Sequence, residues 1–182
     1  LKPGRYAGAT AVWDVRAEGL IELIAEINEE IQAKGNTSIP EEPFTIGAAA
    51  NPNNPDVISE TQRMQLKADN GADIFFTQPT FNMSTIETFS EHTAVVARPL
   101  ILGVLVLSTA RSARQMAQVP GIEVSDEIVR KMDEAGASEK EMGEEITEKF
   151  IEQIRPFCAG IYLIPTAGSI DSCVRLVRNL KK

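Results

Sequence analysis

"PLILGVLVL", Pro99 to Leu107, carries no charged or polar side chain, and its reading decides the fold class. A strand wetted on one face alternates apolar and polar residues, whereas a strand covered on both faces runs continuously apolar, as in parallel sheets. Three more segments read the same way: "FTIGAAA" (Phe44 to Ala50), "DIFFTQ" (Asp73 to Gln78) and "GIYLIPT" (Gly160 to Thr166).

Helical patterns lie between them. In "AEGLIELIAEINEEIQAKG" the residues Leu20, Ile24, Ile27 and Ile31 recur at helical spacing and predict a buried stripe, with acids on the other face and Gly35 as a stop. Ser59 to Asn70 reads as a second helix, with Ser59 as N-cap and Gly71 just past its end, and Ser84 to Val96 reads as a third. From Arg111 two helical pieces flank "VPGIEVS", where Pro120 and Gly121 break the first and Ser125 caps the second. "EKEMGEEITEKFIEQIRPF" sets Ile146, Phe150, Ile151 and Ile154 on one side, and "GSIDSCVRLVRNLKK" ends in cations, where the helix dipole favours them.

Strands separated by helical crossovers pair in parallel, so an α/β architecture follows. An open doubly wound sheet and a (βα)8 TIM barrel both satisfy the pattern, and four strands make a small open sheet or half a barrel.

The 182 residues suit a single domain across 1–182, and 43% hydrophobic with 24% charged residues is an ordinary globular composition. The net charge of −8 disfavours a nucleic-acid groove, which needs clustered Lys and Arg. No apolar run approaches the roughly 20 residues of a membrane helix, and the opening "LKPGRYAGAT" lacks the apolar core of a signal peptide. A cytoplasmic protein with no nucleic-acid or membrane partner is expected. Leu1 stands where Met would open a complete chain, so the chain is expected to begin inside a longer one. Cys158 and Cys173 form neither a CxxC pair nor a zinc cluster and are expected to be free, buried thiols, with no metal site.

The working face of either α/β form is the carboxyl end of the strands. The residues there are Asn51, Gln78, Ser108 with Thr109, and Thr166, a polar set without charge. Neither GxGxxG nor GxxxxGK[ST] occurs, which weakens the nucleotide-binding open sheets. The single histidine, His92, falls in the helix after "TQPTF", away from those ends. Two roles are open to Gln78: its amide can donate and accept along the edge of a neutral heterocycle, or it can tie off strand-end backbone groups before Pro79. "GAAANP" (Gly47 to Pro52) projects little from its strand and leaves room for a flat ring. Glu60, Arg63 and Lys67 share a helical face, either as a plain charged stripe or as cations for an anionic cofactor with Glu60 on its hydroxyls.

Together, "ATAVWDVRAEGLIELIAEIN", "FTIGAAANPN", "NGADIFFTQPTFNMSTIETF", "VPGIEVSDEI" and "GIYLIPT" resemble the methylenetetrahydrofolate reductase family, in the branch whose fifth barrel strand ends in Asn-Pro. That resemblance implies a flavoprotein oxidoreductase of one-carbon metabolism and methionine biosynthesis. Its fold would be a (βα)8 barrel holding FAD across the strand ends, which reduces 5,10-methylenetetrahydrofolate with electrons from NAD(P)H or another donor. This chain would supply the C-terminal half, strands five to eight. By the family pattern, Gln78 contacts the folate and Ser112 stands where a substrate-binding amide is common. Trp13, Ala49, Asn51, Glu60, Arg63 and Lys67 match FAD-lining positions. No catalytic residue is implied in this half, because the proton-donating glutamate belongs to the other. The seventh strand reads "GVLVL" instead of ending in the usual proline at Val106, and a folate-contacting arginine falls near Gly168. These departures keep a second role open, a non-catalytic pterin-binding or electron-transfer subunit of the same fold. Four βα units leave two sheet edges unpaired, so a partner chain, a homo-oligomer or the rest of the polypeptide is expected to complete the barrel.

Overall fold

The structure, a computed structural model, describes residues 15–34, 42–119 and 121–180. Strands β1 (Gly47–Ala50), β2 (Ile74–Thr77), β3 (Leu100–Val106) and β4 (Gly160–Pro165) form one sheet in chain order. Every ladder is parallel: Ala48 lies opposite Phe75, Phe76 opposite Ile101 and Gly103 opposite Tyr162. Parallel neighbours need long crossovers, and helices supply them. α2 (Val57–Asp69) joins β1 to β2, α3 (Met83–Thr93) joins β2 to β3, and α4 (Ala110–Ala117), α5 (Asp126–Ala135) and α6 (Glu139–Ile154) join β3 to β4. α1 (Ala17–Lys34) precedes the sheet and α7 (Ile170–Leu180) follows it. The α/β class and the four expected strand segments are therefore present. β1 and β4 are the two edges of this sheet, and closure into an eight-stranded barrel takes strands beyond these four.

Helix starts follow side-chain capping. α2 begins one turn before the expected Ser59, because the Asp56 carboxylate accepts from the Ser59 amide at 2.9 Å and is itself the N-cap. Past its end, Gly71 adopts φ +110°, and a Cβ there would sit 2.8 Å from the Ala25 methyl, so the exit needs glycine on both counts. α3 starts at Met83 behind Asn82, whose side chain accepts from Thr85 N, and the expected end at Val96 falls in a 3₁₀ turn after Thr93. Ser125 caps α5 as expected. The breaker Pro120 and the stop Gly35 lie outside the described residues.

The helices cover one face of the sheet. Ala48, Ala50 and Phe75 pack with Ile21, Met64, Ala68 and Phe89, while Leu102 and Val104 pack with Phe150, Ile151 and Ile154. Each fully buried large side chain contributes about 1.5–3 kcal/mol. The expected stripe on α1 needs correction: Ile21 and Ile31 are buried, whereas Leu20 is 54% and Ile27 41% exposed. Asn28 explains the rotation, since its amide donates to Phe44 O at 2.9 Å and accepts from Phe44 N at 2.8 Å. A polar residue thus occupies the inward face that apolar spacing had assigned one position away. A third cluster, including Leu105, Leu107, Met132, Met142 and Ile164, gathers near the carboxyl ends of β3 and β4 with residues of α4, α5 and α6.

Candidate functional site

The carboxyl ends of β1 and β2 carry the site. Side chains alternate along a strand, so Ala48 and Ala50 enter the core while Gly47 and Ala49 lie on the open face. Phe76, paired with Ala49 and 40% exposed, continues that face, and two residues on comes the exposed Gln78. The resulting ledge is apolar and nearly flat at β1: even a Cβ on Gly47 would come within 3.0 Å of the Phe76 ring.

Across the sheet from the ledge, where Met64 and Ala68 of α2 pack on Ala48 and Ala50, the charged residues of that helix are more than an exposed stripe. Glu60 is only 4% exposed and organises the loop after β1. Its carboxylate accepts from Asn51 N at 3.0 Å, from Asn54 Nδ2 at 3.1 Å and from the Arg63 guanidinium. Lys67 reaches back to donate to Ala49 O at 2.7 Å. The Arg63 side chain remains 53% exposed, so positive charge faces solvent beside the β1 exit. Asn51 accepts from Asn53 N at 3.1 Å through its side-chain oxygen.

Asn53 laces three loops together. Its amide nitrogen donates to Pro79 O at 3.0 Å and to Gly121 O at 2.7 Å, two carbonyls that claim both amide protons and fix the side chain's orientation. Its oxygen, buried, has no partner among the described residues. Glu123 strengthens the same seam by accepting from Asn82 Nδ2 at 3.0 Å and Thr80 Oγ1 at 3.3 Å, while its carbonyl accepts from Phe81 N. "TQPTF" is therefore clamped between the loops after β1 and α4.

The other polar strand ends are occupied. Thr166 Oγ1 donates to Val106 O at 2.7 Å, and Ser108 Oγ donates to Ala167 O at 2.9 Å. Ser112 is buried in the first turn of α4, its hydroxyl joined with Thr109 in a reciprocal capping box. Gln78 differs: its backbone N–H donates to Ala50 O at 2.9 Å, yet its side-chain amide makes no hydrogen bond to the described residues. Of its two open roles, tying off the strand end is thus taken by the backbone alone.

Behind Gln78 lies a cluster that the strand-end positions alone do not reveal. The Tyr162 hydroxyl donates to Thr77 O at 2.6 Å, Thr77 Oγ1 accepts from Gly103 N at 3.0 Å, and the Tyr162 and Phe76 rings meet edge to face at 5.7 Å. The signal was present in sequence, since an isolated glycine inside an apolar strand marks a close approach. Burial pushes the Tyr162 phenol above its ordinary range.

His92 is exposed on α3, with Nδ1 at 2.8 Å from Thr88 O, and the described residues place no hydrogen bond from it to an acid or thiol. Cys158 and Cys173 are free but only half-buried, a correction to full burial, and desolvation raises both thiols above their ordinary range. Among the described residues no cluster of His, Cys, Asp and Glu could hold a metal, and no helix is long and apolar enough to cross a membrane. Trp13 lies outside the described residues.

A parallel α/β sheet with uncharged strand exits, the free Gln78 amide among them and Arg63 and Lys67 beside the β1 exit, defines an α/β domain in which the described residues at the strand ends bring together no nucleophile–base pair. The family model described as methylenetetrahydrofolate reductase matches residues 11–165, and the chain belongs to that family. This is a family of folate-related oxidoreductases of one-carbon metabolism. A comparison with curated proteins gives no match.

Proposed function

We propose that the chain supplies strands five to eight of a flavin-dependent (βα)8 barrel that reduces 5,10-methylenetetrahydrofolate to 5-methyltetrahydrofolate, with NAD(P)H or another reductant as electron source. The observation that supports it most is Gln78, whose side chain is exposed and unpaired while its backbone is fixed. A primary amide so placed offers one donor and one acceptor to a pterin edge.

The residues present also suit FAD. Gly47 and Ala49 leave the β1 ledge flat enough for an isoalloxazine, and the half-exposed Arg63 beside Lys67 offers charge to a pyrophosphate. Glu60 holds Asn51 and Arg63 in place for that task. When bound, FAD supplies the hydride; this chain's residues bind and orient, and the proton donor is assigned to the other half. That half comes from the remaining polypeptide, a partner chain or a second copy of the chain, since β1 and β4 both end the sheet.

One observation favours a second reading, a pterin-binding or electron-transfer subunit without turnover. Gly168, near the position of the family's folate-contacting arginine, has φ +80°, a conformation strained for any side chain.

The test uses the complete protein with both halves of the barrel present, on one chain or on two. It is expected to purify with FAD, and methylenetetrahydrofolate should reoxidise the reduced flavin. Gln78→Glu should slow that half-reaction about tenfold, equivalent to roughly 1.4 kcal/mol, with flavin affinity unchanged. A colourless protein that takes up no FAD rejects the reading, an unchanged rate removes Gln78 from the site, and folate binding without turnover selects the second reading.

A further inference from the structure

We propose that Tyr162 is a positioning residue for Gln78: through Thr77 it sets the direction in which the free amide points. The inference rests on the pterin-recognising role of Gln78 proposed above.

The β2–β3 ladder pairs Phe75 with Leu100 and Phe76 with Ile101 and then stops. One residue further on, side chains replace the ladder. Gly103 N donates to the Thr77 hydroxyl at 3.0 Å, and the Thr77 carbonyl accepts from the Tyr162 hydroxyl at 2.6 Å. Tyr162 belongs to β4, two strands away, a separation of roughly 9.6 Å at ordinary strand spacing. Its ring bridges that distance only by crossing β3 at Gly103, where a Cβ would lie 2.8 Å from both the ring and the Thr77 oxygen. Phe76 meets the ring from the other side at an interplanar angle of 77°.

The Thr77–Gln78 peptide is thereby held at both ends. Its carbonyl is fixed by Tyr162, and its N–H donates to Ala50 O on β1 at 2.9 Å. Rotating this peptide plane would swing the Gln78 side chain, and the two bonds oppose that rotation. A rigid backbone under an unbonded side chain is the arrangement that lowers the ordering cost of binding. Nothing in the Tyr162 contacts touches the Gln78 amide, so its effect on the direction of that amide passes through the backbone.

The experiment measures equilibrium binding of 5-methyltetrahydrofolate to the FAD-loaded complete protein by titration calorimetry, with KM and kcat determined in parallel. Tyr162→Phe keeps the ring and removes only the hydroxyl. It should weaken binding about three- to tenfold and raise KM more than it lowers kcat. In a Gln78→Ala background the same substitution should change affinity by less than about 1.5-fold, because coupled residues fail to add. Gly103→Ala, which displaces the phenol, should reproduce the loss and add little to Tyr162→Phe. Equal losses in both backgrounds would make Tyr162 a general structural brace and overturn the inference, as would no loss at all. If the parent enzyme binds no folate, the proposed function falls and this inference with it; if it binds and Gln78→Ala weakens it without coupling, only this inference falls.

Discussion

Gly143 lies inside α6, where helix propensity alone favours alanine by about 1 kcal/mol. The packing argues the opposite. A Cβ at Gly143 would fall 2.1 Å from Leu107 O, 3.0 Å from Leu107 C and 3.1 Å from the Met132 methyl. An ordinary carbon–oxygen contact is about 3.3 Å, so helix and strand exit would have to part by roughly 1 Å. The obstacle is a backbone carbonyl, which has no rotamer to escape into, and the displacement would open the cluster around Leu107, Met132 and Met142. Overpacking of this kind costs about 1–3 kcal/mol. Taking the upper end and subtracting the propensity gain, Gly143→Ala should destabilise by about 2 kcal/mol. Urea unfolding followed by far-ultraviolet circular dichroism reads this as a midpoint lowered by about 1 M for a slope near 2 kcal/mol/M. Gly19→Ala is the control, since among the described residues its Cβ meets only a Val15 methyl at 3.0 Å near the start of α1, and it should be neutral or stabilising. A midpoint for Gly143→Ala equal to or above the parent's would refute the close approach of α6 to β3.

Glu60→Gln replaces an acceptor-only group that satisfies Asn51, Asn54 and Arg63 with one that turns an N–H toward a donor, and should cost about 2 kcal/mol in the same unfolding assay. A change under about 0.5 kcal/mol would show that the loop after β1 does not depend on the carboxylate. Between α6 and α7, a hydrogen bond from Arg175 holds the Glu144 carboxyl below its usual range. A folded pKa below the unfolded value adds stability above the unfolded value of 4.5, and that stability is lost as pH falls through the folded one. Glu144→Gln should therefore lower Tm by no more than a few degrees at neutral pH, given the half-exposed Arg175, and that gap should narrow as pH falls towards about 2. A Tm gap of the same size at both pH values would separate the effect from ionisation.

The parallel sheet was legible because uninterrupted apolar runs alternate with helical crossovers, but the expected two-sided burial is met only in part: Phe75, Val104 and Val106 are buried on the helix-covered face, whereas Ala49 and Phe76 are exposed on the other. The start of α2 was not, because both Asp56 and Ser59 are good caps and only the chain path after "NPNNP" brings the carboxylate to the Ser59 amide. The rotation of α1 was hidden for a similar reason: Asn28 faces inward to satisfy Phe44, a contact sixteen residues away that periodicity does not register. At the site, Gln78 stood out as an amide ending an apolar strand, whereas the burial of Glu60 depends on a loop geometry that spacing along α2 does not encode. Tyr162 looked like one more strand residue until its reach across Gly103 was visible.

The free amide of Gln78 also limits where acid–base behaviour can enter. A glutamine side chain has no proton to gain or lose across the ordinary pH range, so its donor and acceptor remain the same in mildly acidic and mildly alkaline solution. Recognition at this point is chemically indifferent to pH. Any bell-shaped or sigmoid profile in a half-reaction at this site reports on the ligand, or on groups elsewhere around the strand ends. Exchange of the amide for a carboxylate would therefore introduce a titration that the native contact was built without.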